Sequence, residues 1–151
     1  MIFRLLRVNL VLILWLIAIP IMAQTSTELR ERYGEPQSET YQVRPQIVLS
    51  VFYTESGQLC RMEISPRHQK VRLGLAAEVM SSDEVSHIID ELVPIAQRGR
   101  SIRKVTDTSG CNEYLITEYE KVIVSLSNRC QAQGAGTYSA TIEWKEAKCE
   151  K

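Results

Sequence analysis

The chain is short of several things at once, and each shortage removes a class of function. It has no charge excess, with 18 Lys and Arg against 18 Asp and Glu. A nucleic-acid binder needs a basic surplus for phosphate contacts, so that class is excluded. After the N-terminal apolar stretch no second long apolar run follows, which excludes a polytopic membrane protein. The four Cys form no CxxC pair, and neither His68 nor His87 is close in sequence to a Cys, so a zinc site is not expected. No calcium loop and no Asn-x-Ser/Thr sequon occur. Gly134-Ala135-Gly136 precedes a strand pattern rather than a helix, which is the wrong context for a phosphate cradle. No cofactor is expected.

What is present starts with a leader. Arg4 and Arg7 are followed by an almost wholly apolar stretch, Val8 to Ile19, then Pro20 and Ile21-Met22-Ala23. These are the three parts of a secretory signal, so residues 1–23 are expected to be cleaved and the mature chain to begin near Gln24. The stretch is short for a span and broken by Asn9 and Pro20, which disfavours an uncleaved anchor. Removing it takes 19 apolar residues, leaving 48 in the mature 128, with 16 basic against 18 acidic side chains. The expected location is secreted or periplasmic. Cys60, Cys111, Cys130 and Cys149, an even number in a small exported domain, are expected to form two disulfides.

The mature chain, residues 24–151, has the pattern of a single α+β domain. A capped start at Thr25, a Leu29/Tyr33 face and the exit Gly34-Glu35-Pro36 predict a short helix. Ile47 to Tyr53 alternates, Glu55-Ser56-Gly57-Gln58 supplies a turn, and pairing across it sets Tyr53 against Cys60, Val51 against Met62 and Leu49 against Ile64. Ser81 and Glu84 have capping-box spacing, and Val85, Ile88, Ile89 and Leu92 make a helical stripe ended by Pro94. Gln97 to Lys104 is expected to be a loop. Val122, Val124 and Leu126 then alternate, as do Tyr138, Ala140, Ile142 and Trp144, predicting a second hairpin.

The expected fold is two short helices packed on antiparallel β-hairpins in helix-hairpin-helix-hairpin order, stabilised by disulfides. This order, with Tyr33-Gly34-Glu35-Pro36 at a helix exit, resembles the general plan of BamE-like envelope domains and of secreted β-lactamase-inhibitor proteins. The resemblance is one of topology and implies no functional residue. Placing both hairpin connections at one end of the sheet predicts the pairings Cys60–Cys130 and Cys111–Cys149.

Two groups of residues bear chemistry. Arg98, Arg100, Arg103 and Lys104 put four cations in seven residues, a docking surface for a protein or an anionic surface ligand. His87 has Asp83 four residues before and Asp90 three after, the spacing of a carboxylate-oriented base, but it lacks a local nucleophile. The leading expectation is therefore a non-catalytic binding or interaction module. A small extracellular hydrolase using His87 with a remote nucleophile is the first alternative, and a structural envelope component the second.

Overall fold

The structure is a computed structural model that describes residues 26–67, 79–110, 112–129 and 136–149. The expected leader, His68, Cys111, Cys130 and the Gly134-Ala135 pair lie outside the described residues. The chain divides into two compact units, Met1–Glu35 and Pro36–Lys151. In the first, helix α1 (Ser26–Tyr33) ends at Gly34, whose φ of 84° is a left-handed exit that a side chain would strain. The Gly34 N–H donates to the Arg30 carbonyl at 2.8 Å, closing the last turn.

The second unit is mostly β. Its elements are β1 (Ser38–Arg44), β2 (Ile47–Tyr53), β3 (Leu59–Pro66), α2 (Ser82–Leu92), α3 (Ile95–Arg98), β4 (Ser101–Ser109), β5 (Asn112–Tyr119), β6 (Val122–Arg129) and β7 (Gly136–Trp144). All seven strands form one antiparallel sheet in the order β1-β2-β3-β7-β6-β5-β4. The expected hairpins are thus parts of longer runs. One is the β2–β3 pair of a three-stranded meander, and the other is the β6–β7 pair of four consecutive strands.

Alternation builds the core. Ile47, Leu49 and Val51 of β2, Ile64 of β3, Val122 and Val124 of β6, and Ala140 and Ile142 of β7 turn to one face. Val85, Ile88 and Ile89 of α2, followed by Val93, cover that face. Each fully buried Ile or Val stabilises by about 1.5–3 kcal/mol. The helix is tied to the sheet at its start. Met80 and Thr137 exchange both backbone hydrogen bonds, at 2.8 and 3.0 Å, and the Thr137 hydroxyl lies 3.1 Å from Ser82 Oγ.

The expected register holds at Val51–Met62 and Leu49–Ile64, but an irregularity between Phe52 and Tyr53 sets Tyr53 against Leu59, not Cys60. In the second pair Val122, Val124 and Leu126 meet Trp144, Ile142 and Ala140. Two expectations are corrected. Ser81 precedes α2 without a side-chain cap bond, so the capping box does not form. Gln97 to Lys104 is not a loop: α3 runs to Arg98 and β4 begins at Ser101.

The disulfide is also different. Cys60 bonds Cys149, with Cα atoms 5.3 Å apart, which replaces both expected partners of those residues, Cys130 and Cys111. The reason is the junction of β3 with β7. Being antiparallel neighbours, they place Arg61 beside Glu143 and Ile64 beside Ala140. The start of β3 therefore meets the end of β7, and the segment after Trp144 is the one near Cys60. The start of β7 lies at the other end, so the two hairpin connections do not share an end of the sheet. Among the described residues no helix is long and apolar enough to cross a membrane.

Candidate functional site

Antiparallel partners project to the same side, so the register defines a row across the face opposite the α2 core. It runs Ser38, Phe52, Arg61, Glu143, Ile123, Glu118, Arg103, one residue per strand. The two halves of this row differ in how their charges are met. In the far half Glu118 accepts a 2.8 Å hydrogen bond from Lys145 Nζ and lies 3.5 Å from Arg103. The Lys145 bond and charge, with the Arg103 charge, hold its carboxyl below the usual carboxylate value.

The near half is different. The Arg61 guanidinium stands over the Phe52 ring at 4.2 Å from the centroid, a cross-strand cation–π pair. Its Nε is buried without a hydrogen-bond partner. Glu143, next in the row, does not come within ion-pair distance of it. An N–H removed from water and left without an acceptor is costly, which makes this atom the chemical anomaly of the sheet.

Arg61 lines an open cavity of about 630 Å³ together with Phe52, Tyr53, Glu143, Trp144 and Lys148, walled on one side by Cys60 and Cys149. That volume falls within the range of small-molecule sites, which runs from about 300 to 1,000 Å³. The wall is fixed covalently, since the disulfide pins the segment carrying Lys148 against the start of β3. Tyr53 is fixed by a 2.9 Å bond to Glu39 Oε2. Tyr41 bonds the same carboxylate oxygen, and that bond above all pushes its hydroxyl up to about 12. The cleft is thus lined by aromatic side chains, two cations and one exposed carboxylate.

The basic cluster expected from the sequence is placed elsewhere. Arg98 is buried, donating through Nε to the Val93 carbonyl at 2.7 Å and through Nη2 to Asp90. Arg100 bonds Glu120 at 2.7 Å, and its charge and hydrogen bonds hold that carboxyl below the usual value. Arg103 pairs with Glu118. Of the four, Lys104 has no ion-pair partner among the described residues. His87 lies exposed on α2; Asp90 is engaged by Arg98, and the Ser86 hydroxyl donates to the Ser82 carbonyl at 2.8 Å. No remote nucleophile is brought to His87 by these bonds. Among the described residues no cluster of three or more His, Cys, Asp and Glu stands in metal-binding proximity.

No protein-family model, curated protein or solved structure matches this chain. The site therefore rests on its own geometry. Its residues form no linear motif, and the strand register is the sequence signal that joins them. The register that sets Val51 against Met62 also sets Phe52 against Arg61, one position on and facing the other way.

Proposed function

We propose that this protein is an exported, non-catalytic α+β binding domain, and that the cleft beside Cys60–Cys149 takes a ligand bearing a carboxylate. The observation that carries the reading is the Arg61 Nε, buried and without an acceptor, on a guanidinium already oriented by Phe52. A planar guanidinium meets a carboxylate through two parallel N–H bonds, and stacking on Phe52 fixes that plane in advance. Lys148 adds a second positive charge, Phe52 and Trp144 offer apolar surface to the body of the ligand, and Glu143 accepts from any N–H it carries. The pairing of Arg98, Arg100 and Arg103 with carboxylates favours this cleft over the basic cluster as the anion site.

Export is supported by the tripartite leader and by a disulfide, which persists in an oxidising compartment. The protein is read as secreted or periplasmic, with the mature chain starting near Gln24. That chain holds one tryptophan, Trp144, which lies in the cleft and reports on it directly. Titration of the exported protein with benzoate is expected to change Trp144 fluorescence saturably, while benzamide at the same concentrations does so far less. Arg61→Gln is expected to abolish the difference between the two. Equal responses to both probes, or an undiminished benzoate response in Arg61→Gln, would overturn the reading.

A further inference from the structure

The edge strand β4 is exposed at all nine positions from Ser101 to Ser109 and ends the sheet on the side away from β1. Such an edge carries a row of unpaired backbone donors and acceptors. Its sequence is Ser-Ile-Arg-Lys-Val-Thr-Asp-Thr-Ser, with four β-branched residues and no proline. We infer that β4 pairs antiparallel with β4 of a second copy of this chain, centred on Val105, to make one continuous fourteen-stranded sheet.

The charge pattern selects both the partner and the register. A two-fold axis normal to the sheet keeps the helix-covered faces on one side and sets each residue against its mirror position about the centre. Centred on Val105, Arg103 of each copy meets Asp107 of the other, so two opposite-charge pairs form at once. Lys104 meets Thr106, and Ile102 meets Thr108. Centring on Lys104 or on Thr106 leaves Arg103 and Asp107 facing neutral residues. Within one chain Asp107 has no ion-pair partner among the described residues, while Arg103 reaches Glu118 at 3.5 Å. The second copy therefore gives Asp107 its missing cation and leaves Arg103 between two carboxylates.

The apolar surface fits the same centre. Val105 and Ile116 are register partners on the open face, each 38 % exposed. In the pair the two Val105 side chains meet at the axis, giving an unbroken row Ile116, Val105, Val105, Ile116. This surface is at the opposite edge from the β1 strand beside the carboxylate cleft, and it stands whether or not that cleft binds a ligand.

The test is sedimentation of the exported protein over a range of concentrations. The wild type is expected to show a reversible monomer–dimer equilibrium. Asp107→Arg and Arg103→Asp each set like charges face to face and are expected to weaken self-association by roughly tenfold or more. An equimolar mixture of those two variants restores both pairs, so it is expected to dimerise as the wild type does. Val105→Glu places two carboxylates at the axis and is expected to be monomeric, with circular dichroism confirming that it is folded. A wild type that stays monomeric, single variants that associate as tightly as wild type, or a mixture that does not recover would each overturn the inference.

Discussion

At the scale of single residues, the charges of this sheet are arranged as acid-sensitive supports. Glu118 and Glu120 have carboxyls held below their ordinary value of 4.5, the first chiefly by the Lys145 hydrogen bond and the second by bonds from Arg100. A depressed carboxyl stabilises the fold above the unfolded value and loses that contribution as pH falls through the folded one. The thermal midpoint is thus expected to drop as pH is lowered below 4.5, and the drop to be shallower in Glu118→Gln. Tyr41 acts at the other extreme. Its hydroxyl is raised from 10.0 to about 12 by the Glu39 bond, so its contribution is complete below 10.0 and fades as pH climbs toward 12. In Glu39→Gln that alkaline loss is expected to be shallower and Tyr41 to ionise at lower pH, the latter measurable by tyrosinate absorbance at 295 nm. Burial sets a different magnitude. Ile64 has no exposed surface, and Ile64→Ala is expected to cost about 2–5 kcal/mol in urea denaturation.

Secondary-structure elements were legible where burial imposes a period. Strands β2, β3, β6 and β7 alternate because one face is in the core, and their apolar residues fix the register to within one irregular step. Strand β4 gave no such signal. Both its faces are wet, so Arg103, Lys104 and Asp107 sit among Ile102 and Val105 without alternation, and the segment has the composition of a loop. The cleft was hidden for a related reason, since Phe52 and Arg61 are partners across strands and no linear spacing joins them. Helix α2 carries the opposite lesson. Its apolar stripe is real, but its start is held by the Met80–Thr137 backbone pair rather than by Ser81. Ser81→Ala is therefore expected to change stability by less than about 0.5 kcal/mol, below the ordinary cost of a lost cap. Thr137→Val is expected to cost about 1–3 kcal/mol, because the buried Thr137 hydroxyl donates to Asn128 Oδ1 at 2.9 Å and lies beside Ser82. Urea denaturation of the two variants side by side checks both values.

For the whole molecule the deciding feature is the covalent closure of a long stretch of chain. Cys60 and Cys149 are 89 residues apart, so their bond closes a loop that carries five of the seven strands, β3 to β7, in the unfolded state. Closing a loop of that length contributes about 2–5 kcal/mol, and residues 24–151, with 48 apolar side chains, one Phe and one Trp, offer a modest apolar interior to set beside it. The double variant Cys60→Ala, Cys149→Ala is expected to lose that amount in urea denaturation. It is also expected to lose the benzoate response at concentrations where the fold persists, since Lys148 is no longer held beside Arg61. The bond also constrains the remaining cysteines. Four cysteines pair in three ways, and Cys60–Cys149 belongs to one alone, whose complement is Cys111 with Cys130. Peptide mapping of the unreduced protein is expected to yield a Cys60–Cys149 peptide and a Cys111–Cys130 peptide. A Cys111–Cys149 linked peptide would contradict the Cys60–Cys149 bond, and with it the covalent wall of the cleft.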